Sequence, residues 1–155
     1  MVSSATAIAG IVLMILAALS DSRSYLIPNW LTAGVALTAA VSFLRLPFDL
    51  TFLALHLGAA LLILAVGFAL FAQDLFGGGD VKLLTALALW TGFADLPRLL
   101  LVTTLAGGLL ALGILIWRRL RLASGGVIDQ RLPYGIAIAA GGIDFCIRQL
   151  EIFPK

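Results

Sequence analysis

Charge is what this sequence has least of. Ten basic and eight acidic side chains serve 155 residues, 12% of the chain, where a water-soluble domain carries about 25%. So small a supply cannot furnish the polar surface that a soluble domain of this size shows to water, which excludes a water-soluble helical domain with a rich core. Cysteine is nearly absent too. Cys146 stands alone, which excludes an intrachain disulfide and a cysteine-built zinc ribbon and says nothing of redox compartment. A net charge of +2 gives no case for nucleic acid as a partner.

Apolar residues are what the chain has in abundance, at 62% and a mean hydropathy of +1.14. Several runs approach the ~20 residues that cross a hydrocarbon core about 30 Å thick. They are continuously apolar rather than alternating, so the backbone would be satisfied in lipid by helices and not by a closed barrel. The expected fold is all-α: a polytopic transmembrane bundle of about six helices in a single domain over 1–155. The segments read as 2–20, 29–44, 50–71, 81–94, 96–117 and 132–150. The run from Ala5 to Leu19 is kept as mature protein, because no Lys or Arg precedes it and it leads into Asp21-Ser22-Arg23.

An even number of crossings puts both termini on one side. The loops after the first, third and fifth segments hold Arg23, Lys82, Arg118, Arg119, Arg121 and Arg131, against Arg45, Arg98, Arg148 and Lys155 opposite. The positive-inside rule assigns the first group to the cytoplasm and leaves the termini outside, on the periplasmic face. The fourth segment, 81–94, rises only about 21 Å at about 1.5 Å per residue, so its cytoplasmic start is expected in a dip of the protein surface unless it extends through Asp95 or the bilayer thins.

The chemistry gathers at the same face. The first segment ends in Asp21-Ser22-Arg23-Ser24-Tyr25-Leu26-Ile27-Pro28-Asn29, and the third leads to Gly77-Gly78-Gly79-Asp80-Val81-Lys82. Two carboxylates 59 positions apart thus arrive at one membrane depth, each at a helix boundary. Peptide hydrolysis without a metal or a covalent intermediate needs one group to take a proton from water and another to give one to the carbonyl oxygen. Two neighbouring carboxylates do both, because they cannot comfortably ionise together and one keeps its proton. The three glycines remove side chains beside Asp80 and permit positive backbone angles, so that an extended peptide can come close. Asp80 also reads as an ordinary cap of the following helix and the glycines as an ordinary turn. Lys82 reads as a support for the ionised site, a snorkelling anchor or a lipid contact, and Arg23 as a topology anchor.

These stretches resemble the prepilin peptidases, the membrane aspartyl proteases that trim type IV pilin precursors, and particularly their small tight-adherence (Flp) pilus branch. Asp21 through Asn29 is similar to the family's first motif, an Asp closing a membrane helix before Ile-Pro-Asn. Residues 77–82 resemble its second, Gly-x-Gly-Asp-x-Lys, with Gly77 and Gly79 at the motif glycines and Gly78 in the variable place. Leu132-Pro133-Tyr134-Gly135 resembles the segment opening its last helix.

The resemblance implies an endopeptidase that cuts at the cytoplasmic face of the bacterial inner membrane, after a Gly ending a short basic leader, with Asp21 and Asp80 as the catalytic pair. Supporting roles fall to Gly77, Gly79, Lys82, Arg23, Pro28, Asn29, Pro133, Tyr134 and Gly135. Partners would be pilin precursors and membrane lipids; no cofactor or metal is implied. The extra cytosolic cysteine-containing region of longer members is not found in this sequence, so peptidase activity is expected without methyltransferase activity. Asp74 and Asp129 lie on the side a basic leader would reach, though solvated loop charge is the plainer role for both.

Other polar groups read as structural. His56 is expected in a helix–helix hydrogen bond, Asp144 beside Arg148 one turn on, and Gly107-Gly108 and Gly141-Gly142 at close helix contacts. Two other functions compete. A transporter or channel would run an ion route past Asp21, Asp80 and Lys82, yet the second, fourth and fifth segments offer almost no polar groups for one. A structural membrane subunit would use the same glycines for packing and the aspartates as caps.

Overall fold

The computed structural model describes residues 4–44, 49–122 and 133–150, so the expectations for Arg45, Asp129, Arg131, Leu132 and Lys155 lie outside the described residues. Five helices follow in order: α1 Ser4–Ser24, α2 Asn29–Phe43, α3 Leu50–Phe71, α4 Gly78–Leu122 and α5 Tyr134–Gln149. Three of them, α1, α3 and α4, hold stretches long and apolar enough to cross a membrane. α2 is apolar but shorter.

Among the described residues the helices number five and not the expected six, because the fourth and fifth segments are joined in α4, whose two limbs still make six crossings in all. The boundary expected at Asp95 falls three residues earlier, at Gly92, whose φ of 61° and ψ of −177° are not helical; Asp95 and Pro97 lie within the helical residues that follow. Straight, α4 would be about 67 Å long at about 1.5 Å per residue, more than twice a hydrocarbon core. Gly92 resolves this by folding α4 into two limbs that run in opposite senses along α5. In the first, Leu87 meets Gly142 and Trp90 stacks edge-on against Phe145 at 5.5 Å. In the second, Leu99 and Thr103 meet Gly141, and Gly107 meets Ala137. The first limb, Gly78 to Thr91, is as short as the fourth segment read from sequence.

A break in a helix strands the carbonyls of the turn before it. Nδ1 of His56, on α3, lies 2.8 Å from the Leu89 carbonyl, the helix–helix hydrogen bond expected of it. Sharp turning also needs the residue without a side chain: a Cβ at Gly92 would come within 2.8 Å of the His56 ring.

α4 is the centre of the molecule, packed on α5, α3 and α2, while α1 packs on α5 and α2. Trp90, Met14, Leu31, Leu83, Leu87 and Leu99 fill the middle. Gly10 of α1 admits the Trp90 ring, and Gly141 and Gly142 admit Thr103 and Met14, so close contact is their role. Gly108 is a correction: it faces open space.

The distribution of polarity is inverted relative to a soluble protein. Asp21 and Asp80 are 5% and 9% exposed, whereas Leu61 and Leu109 on the outside are 64% and 71% exposed. Apolar surface on that scale is stable against lipid and not against water. At the end of the bundle away from these carboxylates, Asp144 accepts from Arg98 at 2.9 Å through both Nε and Nη2, and from Arg148 at 3.2 Å. Arg148 also donates to Asp95 at 2.8 Å. The network joins the turn of α4 to the last turns of α5; the Asp144–Arg148 half was legible as an i,i+4 pair, and the Asp95 and Arg98 half was not.

Candidate active site

Three chain segments meet around two carboxylates. α1 carries Asp21 on its last turn, buried where the helix passes under the start of α5. Tyr25 ends α1 with φ 53°, its amide donating to the Asp21 carbonyl at 2.9 Å. Ser20 Oγ donates to the Leu26 carbonyl at 2.8 Å and closes the loop on the helix it leaves. Pro28 then precedes α2, extended at φ −60°, and Asn29 is the first helical residue.

α3 ends in a left-handed residue, Asp74 at φ 57°, with the Leu75 amide reaching back to the Leu70 carbonyl at 3.1 Å. This six-to-one bond is the Schellman pattern, and it turns the chain towards Gly77. The glycines differ from expectation. Gly78 and Gly79 form the first turn of α4, and among the described residues only Gly92 is a glycine with positive φ. What the missing side chains admit is the protein itself: a Cβ at Gly79 would lie 3.2 Å from Ile27, and one at Gly77 would lie 2.7 Å from Asp80 Oδ2.

Asp80 is also placed differently from a helix cap. It is the third residue of α4, and its carboxylate turns back over Gly77, the place that the acidic member of a capping box takes. Lys82 Nζ donates to Asn29 Oδ1 at 3.0 Å, tying the first turn of α4 to the first residue of α2. Arg23 is exposed on the last turn of α1, outside the cluster.

α5 supplies what α1 and α4 lack. Pro133 caps it, Tyr134 stacks on Phe76 with ring centres 5.7 Å apart, and the Gly135 N–H donates to Asp21 Oδ2 at 2.8 Å. The next N–H, of Ile136, turns back to the Pro133 carbonyl at 3.3 Å. The open N–H groups of a helix start are a ready anion site, and here the anion is a side chain of α1.

Asp21 and Asp80 line two cavities together, each of about 370 Å³. One opens along Ile27, Asn29, Gly79 and Lys82. The other opens along Asp74, Phe76 and Tyr134. Of the residues singled out in the sequence, Gly77, Gly79, Lys82, Asn29, Tyr134 and Asp74 join the two aspartates, Gly135 holds Asp21 from behind, and Pro133 precedes them as the N-cap of α5. Tyr25, Ile27 and Phe76 were missed as site residues. Tyr25 and Ile27 sit inside the first motif, where their adjacency to Asp21 was the available signal. Among the described residues, no group of three or more His, Cys, Asp or Glu side chains forms a metal-binding set.

A sequence profile of the type IV leader peptidase family matches residues 8–112, more than half of the chain. The chain belongs to this family. It is 40% identical over 67 residues to the prepilin leader peptidase/N-methyltransferase of Burkholderia pseudomallei strain 1026b, which covers 43% of this chain and 19% of that protein. The corresponding proteins of Pectobacterium carotovorum subsp. carotovorum and Dickeya chrysanthemi are 39% and 36% identical over 71 and 70 residues, covering 46% and 45% of this chain and 23% of each of theirs. The chain thus spans less than a quarter of the length of these curated relatives. No solved structure matches it significantly. The family match includes Asp21 and Asp80 and stops before α5, the helix whose Gly135 N–H holds Asp21.

Proposed function

We propose that the protein is a membrane aspartyl endopeptidase that removes the short basic leader from type IV (Flp-type) pilin precursors, with Asp21 and Asp80 as its catalytic pair. The observation that carries the reading is that these two side chains, remote in sequence and each buried in an apolar bundle, line the same two cavities. Family membership gives the reaction class.

On this reading the pair shares one proton, because two adjacent carboxylates in a poorly solvated site do not both ionise. The ionised member takes a proton from a water as the water oxygen attacks the scissile carbonyl, and the protonated member gives its proton to the carbonyl oxygen. The resulting diol collapses with cleavage of the C–N bond as a proton passes to the leaving nitrogen. The Gly135 N–H holds the Asp21 carboxylate and that of Asp80 sits against Gly77, which keeps the pair oriented through the cycle. The Lys82–Asn29 bond keeps the walls of one cavity together. The site faces the cytoplasm in the bacterial inner membrane, with the basic run Arg118, Arg119 and Arg121 on that side and the termini outside. The precursor's apolar stem lies among the helices and its leader reaches the cytoplasmic loops.

The test is incubation of the purified protein, in detergent or lipid, with pilin precursors, alongside Asp21→Asn and Asp80→Asn. A single cut after the leader Gly, lost in both variants and unaffected by chelators, is expected. Normal cleavage by either folded variant would end the proposal.

A further inference from the structure

Tyr25 terminates α1 in a backbone conformation that suits glycine. With φ 53° and its amide bonded to the Asp21 carbonyl, it occupies the left-handed position of a simple helix cap, where a tyrosine is strained and a glycine is not. Ending the helix does not call for an aromatic ring. Strained backbone at a non-glycine residue is kept where the side chain has another use, most often beside a site.

The surroundings of the ring indicate the use. Four residues are common to the two cavities that flank the carboxylates: Asp21, Asp80, Gly77 and Tyr25. The first two are the proposed catalytic pair, and Gly77 lies directly against the Asp80 carboxylate. Tyr25 is the remaining one, 36% exposed where the two cavities join. A tyrosine ring offers rigid, flat contact area and freezes few torsions when something lies on it.

Building on the peptidase reading, we propose that Tyr25 is the substrate-positioning residue of this site. An extended peptide crosses from one cavity to the other over its ring, which holds the backbone next to the scissile bond in line with Asp21 and Asp80. The strained cap is what carries the ring to the junction: it lifts the side chain out of the helical track of α1 while leaving its amide bonded to the helix.

Three variants and the wild-type protein test this in detergent, with thermal unfolding measured beside kcat and KM for a synthetic precursor peptide that carries the basic leader and the cleavage junction. Tyr25→Gly relieves the backbone and removes the ring, so it is expected to melt at the wild-type temperature or above it while KM rises about tenfold or more and kcat falls less. Tyr25→Phe keeps the ring and is expected within about twofold of wild type in both constants. A Tyr25→Gly protein with wild-type KM overturns the proposal, as does one that loses stability and activity together. Loss in Tyr25→Phe equal to that in Tyr25→Gly also overturns it, since the hydroxyl and not the ring would then be the active feature. Asp80→Asn distinguishes the underlying reading: if it cleaves normally the peptidase assignment fails, whereas an inactive Asp80→Asn beside an unaffected Tyr25→Gly removes only the role of Tyr25.

Discussion

Gly135 and Asp21, 114 positions apart, are joined by a 2.8 Å hydrogen bond from the backbone N–H of one to the carboxylate of the other. The contact leaves no room for a side chain: a Cβ on Gly135 would lie 2.8 Å from Oδ2 and 2.9 Å from Cγ of Asp21. The first turn of α5 is thereby a fixed seat for the last turn of α1. Gly135→Ala should push the carboxylate off that seat, cost about 1–3 kcal/mol of stability as an overpacked contact does, and lower precursor cleavage well beyond what the loss of fold accounts for. Thermal unfolding and cleavage rate on the same preparation check it.

For the carboxylates themselves, Asp21→Asn and Asp80→Asn keep the volume and remove the ability to exchange a proton. Each should reduce cleavage by about 10²–10⁴-fold, the usual worth of positioned acid or base groups. The melting temperature should stay near that of the wild type, so activity and stability are to be measured together.

Gly92 and His56 should behave as a coupled pair. Gly92→Ala places a side chain at φ 61°, which costs at least about 1–2 kcal/mol, and drives it into the His56 ring. His56→Ala leaves the Leu89 carbonyl without its partner, at about 1–3 kcal/mol. The double variant should lose less than the sum of the single ones, because removing the ring relieves the clash. A strictly additive result in unfolding experiments would contradict this packing.

The ion network at the other end of the bundle should matter little for catalysis. Arg148→Ala removes contacts to both Asp95 and Asp144, yet all three groups keep access to solvent, so the loss should be less than about 1 kcal/mol and should shrink with added salt. Cleavage should stay within about twofold of wild type.

Much of the polar face was readable before any fold was known. Asp21, Asp80, Lys82 and Asn29 stand out because charge and amide groups are scarce in so apolar a chain, and scarcity makes position informative. His56 was legible for the same reason, as a lone titratable group in an apolar run. The glycines misled: their composition suggests a flexible turn, whereas Gly78 and Gly79 are helical and serve to let Ile27 and Phe71 approach. The turn between the fourth and fifth segments was placed three residues late because Asp95 looks like a boundary, while Gly92 turns the chain inside a run that reads as uniformly apolar.

Composition and the spacing of apolar runs by themselves determined that this chain is a helical bundle suited to lipid, and that Asp21 and Asp80 lie at helix ends, because burial of apolar length is a property of each segment alone. Only the tertiary structure decided that the turn of α4 falls at Gly92 against His56, that the start of α5 grips Asp21, and that Tyr25 lines both cavities. Those facts depend on contacts between residues dozens of positions apart, which no local pattern of hydropathy or propensity encodes.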